Sequence, residues 1–351
     1  MNLINKNSRI CFLAVYLKNY FGNDCLQFSE NWTDDSEVLS LVNADKTKLV
    51  YIRAILDEND YFLSLETGVN LTDTAGNSLD KNNLTLLQLT HEIAIHFKSY
   101  KVKKHDADVH VLNGDALLAH FPDDIKGKKI IMRECLVDGL IKGDDFESFF
   151  DSRSAFMLKE HWIKSPGEYY ELVGSELMKL LNLNNNATVY LWFEEDLFCQ
   201  INMWFICAFL YRIKHKNVMF VRPLAHAPYS FGHHDDDQLK QIYMNSQAII
   251  DLSFYEKLWH GYVSGDLNEL QNLKKILPKE LSFIRKAIDA HVFRIPRDVN
   301  AKDQLTLEVE KILVENKEDD FGSAFRMFSE RFPHYGFGDL QFKRIYDLLS
   351  L

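Results

Sequence analysis

The spacing of apolar residues changes character twice along the chain. Leu49–Leu56 and Tyr61–Thr67 are runs rich in β-forming residues. They flank Asp57-Glu58-Asn59-Asp60, four turn formers, so a hairpin is expected. Leu84–Phe97 places Leu86, Leu89, Ile93 and Phe97 at helical spacing, and Lys98–Lys104 follows as a basic connector. The pattern then becomes short, continuous apolar runs at Val109–Leu112, Ile130–Met132, Val189–Phe193 and Val218–Val221. Between them lie the helical stretches Ala116–Phe121, Tyr169–Leu183 and Leu197–Tyr211. Strands apolar on both faces and alternating with helices predict parallel β-α units. Beyond that, only helical spacing remains: Leu267–Ile276, Lys279–His291, Asp303–Val314, Gly322–Arg331 and Leu340–Leu349.

The expected fold class is therefore α/β: a Rossmann-like, mostly parallel sheet with flanking helices across residues 105–266. A small α+β unit over 1–104 precedes it, and a C-terminal helical module over 267–351 follows. No internal repeat or low-complexity tract interrupts this plan.

Composition narrows the function classes. With 351 residues, 46% hydrophobic and 13% aromatic, the chain has ample material for a core, which excludes disorder over most of its length. The net charge is −11, and −9 of it falls in residues 105–266, which hold 24 acidic and 15 basic side chains. Affinity for nucleic acid comes largely from neutralising phosphates, so this balance argues against bulk nucleic-acid binding. The cysteines are five, an odd number without a Cys-x-x-Cys pair, as in reduced intracellular proteins, so a cytoplasmic location is expected. Ile10–Leu17 is apolar and follows Lys6 and Arg9, but Lys18-Asn19-Tyr20 does not suit signal-peptide cleavage. The longest apolar stretch, Leu197–Tyr211, spans 15 residues and contains Gln200 and Asn202. It falls short of the roughly 18 needed to cross a bilayer, so it reads as a buried helix and no membrane association is expected.

The chemistry-bearing residues gather where the expected strands end. Val109–Leu112 runs into Asn113-Gly114-Asp115, Ile130–Met132 into Arg133-Glu134, Val189–Phe193 into Glu194-Glu195-Asp196, and Val218–Val221 into Arg222. In open α/β sheets, ligands bind outside the carboxyl ends of the strands. Each element also has a structural alternative. Asp115 suits a helix N-cap, Gly114 a tight turn, Arg133-Glu134 a solvated ion pair, and the acidic triplet a helix dipole. Yet three consecutive carboxylates repel one another unless a cation or a shared proton relieves them.

Asn113, Gly114 and Asp115 would orient a small polar ligand, with Glu134 beside them. Arg133 and Arg153 would meet its negative charge. Glu195 and Asp196 would be the catalytic carboxylates, acting as general base or holding a divalent cation, with Asp115 and Asp196 as the metal candidates. Gln200, one turn into the next helix, would be a positioning donor.

His91-Glu92-Ile93-Ala94-Ile95-His96 has histidines five apart, so on a helix they diverge and do not form a zinc pair. His233-His234-Asp235-Asp236-Asp237 reads as a solvated loop, and Cys135 and Cys199 as supporting thiols. No G-x-G-x-x-G, G-x-x-x-x-G-K-[ST] or G-x-S-x-G is present.

Several of these pieces together resemble a family of bacterial proteins grouped as the domain of unknown function DUF1835. The resemblance rests on His110-Val-Leu-Asn-Gly-Asp115, Arg133-Glu-Cys-Leu-Val-Asp-Gly139, Arg153-Ser-Ala-Phe156 and Leu191-Trp-Phe-Glu-Glu-Asp-Leu-Phe-Cys-Gln200. Phe231-Gly232, Asp237-Gln238-Leu239, Trp259, Leu281–Arg294 with Pro296, and Gly338-Asp339-Leu340 extend it over roughly residues 108–351. The family's third-strand motif reads Trp-Phe-x-His-Asp-Leu-x-Asp-Gln; here Glu195 occupies the His position and Cys199 the second Asp position. The resemblance implies a C-terminal module of winged-helix type, which is a fold analogy only.

Two functions follow as expectations. One is binding of a nucleotide- or sugar-like ligand at the sheet edge, with carboxylate-based hydrolysis or group transfer. At this acidic mouth a phosphorylated ligand would arrive with a divalent cation, or the ligand would carry no phosphate. The other is a regulatory adaptor whose C-terminal helices dock a protein or DNA partner, or a second copy of the chain.

Overall fold

The computed structural model describes strands at 26–28, 36–42, 49–56 and 61–67, and residues 108–351 except 140, 143–145, 182, 184–185, 299–300, 317–319 and 351. The apolar run Ile10–Leu17, the helix expected at Leu84–Phe97, its histidines and the basic connector lie outside the described residues. Two compact units divide the chain, one of residues 1–106 with 139–184 and one of 107–138 with 185–351. Residues 105–266 thus contribute to both, and 267–351 belong with the second.

In the first unit, β1 (Leu26–Phe28), β2 (Ser36–Val42), β3 (Leu49–Leu56) and β4 (Tyr61–Thr67) form an antiparallel sheet in sequence order. The expected hairpin forms with its bounds unchanged, in a register from Val50↔Thr67 to Leu56↔Tyr61. The helix expected at Tyr169–Leu183 is three pieces, Pro166–Tyr169, a π-helical turn Tyr170–Gly174, and Ser175–Leu181. Helix Phe146–Lys159 carries Asp151, which accepts a 2.8 Å hydrogen bond from the Tyr170 hydroxyl.

The second unit is built on a five-stranded sheet of β5 (Val109–Leu112), β6 (Lys128–Ile131), β7 (Val189–Trp192), β8 (Val218–Val221) and β9 (Gln247–Ala248), in the order β6-β5-β7-β8-β9. The first four pair in parallel, and β9 adds an antiparallel edge. All four residues of β5 are buried, as are three of four in β7 and β8, which explains their unbroken apolar sequence. Within β5, His110 stacks on Tyr190 at 5.1 Å. Its Nδ1 accepts from Trp192 Nε1 and its Nε2 faces the Lys126 carbonyl, so the ring is the neutral Nε2–H tautomer. Burial holds its pKa below the ordinary value.

The helices of this unit are α1 (Asp115–Ala119), α2 (Leu197–Arg212), α3 (Asp236–Met244), α4 (Leu252–Ser264), α5 (Leu267–Ile276), α6 (Ser282–Phe293), α7 (Gln304–Glu315), α8 (Phe321–Arg331) and α9 (Asp339–Ser350). Every residue of α2 from Cys199 to Leu210 is buried, so the 15-residue apolar run is a core helix wrapped by α4 and α6. Among the described residues, no helix is long and apolar enough to cross a membrane. Beyond β9 the described residues hold helices and turns only. These helices lock onto the sheet unit: the Tyr262 hydroxyl donates to the Leu136 carbonyl at 2.8 Å, and Gln341 Nε2 to Cys135 Sγ at 3.3 Å.

Candidate functional site

The sheet order fixes where a crevice falls. From β5 the chain moves outward to β6, then returns to pair β7 on the other side of β5 and proceeds to β8. The direction therefore reverses between β5 and β7, and ligands of open α/β sheets favour the carboxyl end of such a reversal. Asn113 leaves β5 at that point, with its N–H on the Trp192 carbonyl at 3.3 Å, and Glu194 follows β7.

Two groups of polar residues occupy this edge. The outer one is Asp115 with Arg133, whose Nε and Nη2 both donate to the carboxylate at 2.8 Å. Both side chains are solvated, at 59% and 28% exposure. The guanidinium hydrogen bonds hold the Asp115 carboxyl below its ordinary range. Asp115 is not the expected N-cap: Gly114 is, at φ +94°, with no side-chain bond, and Asp115 is the first helical residue.

The inner group is Glu194, Asp196 and Cys199, whose ligand-type atoms all lie within 4.8 Å of one another. Asp196 caps α2, its Oδ1 accepting from the Cys199 N–H at 2.9 Å. Gly336, at φ +63°, is pressed so closely against it that a Cβ there would collide with Asp196 Oδ1 and Cγ. Glu194 Oε1 accepts from the Phe231 N–H at 3.3 Å, and its Oε2 accepts from Cys199 Sγ at 3.1 Å.

The polarity of the network leading to Cys199 is determined at every link. The Leu136 N–H needs an acceptor, so Asn202 turns Oδ1 to it at 3.2 Å and Nδ2 to the Asn113 Oδ1 at 2.9 Å. Asn202 Nδ2 also donates to the Glu134 carbonyl at 2.8 Å. Asn113 must then present its own Nδ2 to Cys199 Sγ, at 2.9 Å. The sulfur is thus used as an acceptor from one side, and its single proton goes to Glu194.

None of the observed partners of these three acids is cationic, and burial governs their protonation. Desolvation, then the neighbouring Asp196 charge, raises Glu194 to about 7; desolvation raises Asp196 to about 6 against its backbone hydrogen bonds. Burial and the two carboxylates push the Cys199 thiol up as well. The two carboxyls titrate as a pair.

The other expected residues take different places. Glu195 points elsewhere, into an ion pair with Arg222. Arg222 in turn stacks over Phe283 at 4.8 Å and donates to the Glu280 carbonyl at 3.3 Å. Glu134 is buried and accepts from the adjacent Cys135 N–H at 2.9 Å. Arg153 belongs to the first unit, buried with its guanidinium 4.8 Å from the Phe156 ring centroid. Gln200 is fully buried and donates through Nε2 to the Glu194 carbonyl at 2.7 Å, while its Oε1 meets no donor among the described residues. In the His233–Asp237 stretch, His233, Asp236 and Asp237 are exposed, but His234 is buried and accepts from the Leu224 N–H at 3.2 Å. Asp235 forms a capping box with Gln238.

Sequence reasoning named Glu194 only as part of the acidic triplet, and it passed over Asn202, Gly336 and the central place of Cys199. The spacing of Cys199 and Asn202, three apart on a helix, was the available signal for those two.

Beside the inner group lies a cavity of about 380 Å³, lined by His226, Tyr229, Ser230, Phe328, Phe332 and Gly336 among others. It shares Gly336 with Asp196, and Pro228 of its wall accepts the Glu195 N–H at 2.9 Å. Comparisons of the chain with protein-family models, with curated proteins and with solved structures return no match.

Proposed function

We propose that the protein binds a small polar ligand, nucleotide- or sugar-like, in the cavity beside the β5–β7 reversal. Glu194 and Asp196 supply the carboxylate chemistry of a hydrolase or group-transfer enzyme there, as base or as cation ligands. The observation that carries this reading is the enclosed Glu194–Asp196–Cys199 group, set at the reversal of strand order and backed by Gly336 of the cavity wall. Tyr229, Phe328 and Phe332 offer ring faces for a planar group, and Ser230 and His226 offer polar contacts. Asn113 acts through Cys199 and not on the ligand directly. Glu195 is reassigned from catalysis to positioning, because its charge is spent on Arg222. A Rossmann-like description of the sheet, the winged-helix analogy for 267–351, a cytoplasmic location and membership of DUF1835 form part of the same proposal.

Calorimetric titration with ADP, UDP-glucose and glucose 6-phosphate, each with and without magnesium, tests it. Binding by the whole protein that is lost in Asp196→Asn supports the reading. Absence of binding across the panel, or equal binding by the variant, overturns it.

A specific observation favours a second reading, the adaptor. Ile250 and Ile276, 97% and 71% exposed, line an apolar cavity of about 370 Å³ beside the edge strand β9. Such a surface suits a protein partner or a second copy. Sedimentation of the wild type against Ile250→Asp separates a self-associating chain from a monomer, and a low-salt gel shift tests the DNA version.

A further inference from the structure

The inner group carries an assignment that stands without any organic ligand. We propose that Glu194, Asp196 and Cys199, completed by the Gln200 carboxamide oxygen, form a site for a divalent transition-metal ion of the zinc class.

Four observations lead there. The first is proximity: one carboxylate oxygen from each acid and the cysteine sulfur fall within 4.8 Å of one another, and Cys199 Sγ and Glu194 Oε2 are 3.1 Å apart. Zinc bonds of about 2.1 Å to oxygen and 2.3 Å to sulfur give tetrahedral edges of roughly 3.3–3.8 Å, so side-chain rotation alone closes the set. The second is charge. Asp196 and Cys199 are buried and Glu194 half-buried beside them, and none of their observed partners is a guanidinium or ammonium.

The third observation is independent of the acids. Gln200 is wholly buried, its Nε2 is pinned on the Glu194 carbonyl, and its Oε1 meets no donor among the described residues. The 2.7 Å bond from Nε2 to the Glu194 carbonyl keeps the Gln200 carboxamide beside the residue that supplies the first ligand. A buried carbonyl without a donor is costly, and a cation satisfies it as well as a hydrogen bond does. The fourth is the direction of the network: Asn113, oriented by Asn202, offers its N–H₂ to the sulfur. A hydrogen bond from an amide to a ligating thiolate is the outer support that metal sites commonly carry.

The donor set selects the ion. Two carboxylates and a carboxamide alone would suit magnesium or calcium, but a thiolate in the set favours zinc, cobalt or iron. Asp115 is excluded as a ligand, since both its oxygens are engaged by Arg133. On binding, the Cys199 S–H bond breaks, the sulfur lone pair forms the bond to the ion, and one proton is released to solvent.

The test uses the full-length protein, stripped with a chelator, desalted under reducing conditions and titrated with cobalt(II) as the probe. The expected result is one cobalt per chain, a near-ultraviolet thiolate-to-cobalt charge-transfer band, and displacement by zinc. Cys199→Ser should abolish that band while circular dichroism stays unchanged. Asp196→Asn, which retains the helix cap, should weaken cobalt binding at least roughly tenfold. Cys207→Ser, remote in the core, should leave the band intact. Absence of cobalt uptake by the wild type, or a charge-transfer band that persists in Cys199→Ser, overturns the proposal. Either result is read without substrate, so it is separate from the outcome of the ligand titrations.

Discussion

At the end of β5, Asp115 stands in solvent with both its oxygens gripped by Arg133. One strand away, at the end of β7, Asp196 and Cys199 are buried with the half-buried Glu194, and none has a cationic partner among the described residues. Both groups carry carboxylates, and both sit on the same edge of one sheet. The exposed pair is solved locally: water and a guanidinium already satisfy the charge, and such pairs contribute about 0–1 kcal/mol. The enclosed group is unsolved, because low polarity strengthens the repulsion between its carboxylates and raises the cost of ionising either one. What decides the chemical potential of an acidic cluster is therefore enclosure, and the number of carboxylates matters less.

The contrast is most sharply broken through its two glycines. Gly336→Ala drives a methyl into Asp196 in addition to the strain of φ +63°. Urea unfolding should show a loss of about 3 kcal/mol or more. Gly114→Ala, at φ +94° but with open space around the new carbon, should lose only about 1 kcal/mol. Equal losses would remove the distinction between a packed and an open edge.

pH gives the next largest effect. In chelator-treated protein, the raised Glu194 and Asp196 values mean that the folded state holds more protons than the unfolded chain between the ordinary carboxylate range and about pH 7. Their protonation stabilises the fold fully at low pH, and this is lost as pH rises toward 7, at up to about 1.4 kcal/mol per pH unit per proton. Asp115 has the opposite sign, since its lowered value contributes stability above the carboxylate range that disappears in acid. Denaturation midpoints at pH 5, 6 and 7.5 for the wild type and Asp196→Asn measure the slope. A wild-type slope unchanged in the variant would mean that the enclosed pair is not its source.

Smaller still is Asp196→Asn itself at pH 8 without metal. Asparagine keeps an oxygen for the Cys199 N–H while removing a buried charge, so stability should rise by about 1 kcal/mol. A loss would show that the charge is already compensated. The least effect belongs to Asp115→Asn, within about 0.5 kcal/mol by the same unfolding measurement.

Much of the frame was legible in the sequence because continuous apolar runs have one good structural solution. β5 and β8 and the β3–β4 hairpin have the bounds their residues suggested, and the apolar run after Asp196 is the core helix it promised. Strand order is not encoded in such runs, and β9, two exposed residues, carries no apolar signal. The site was half legible. Reading Glu195 and Asp196 as the pair took neighbours in sequence for neighbours in space. The chain is still extended at Asp196, with ψ 166°, and alternation in extended backbone groups Glu194 with Asp196 while sending Glu195 to Arg222. Gly336 had no such rule behind it. Its importance comes from a contact across 140 residues of sequence.

That separation has a consequence for biosynthesis. Asp196 and its helix leave the ribosome long before the segment that closes over them, and at typical elongation rates the delay is roughly ten to thirty seconds. For that interval Asp196 lacks the Gly336 contact and stays hydrated. The arrival of Gly336 ends that hydration on the side of Asp196 that it covers.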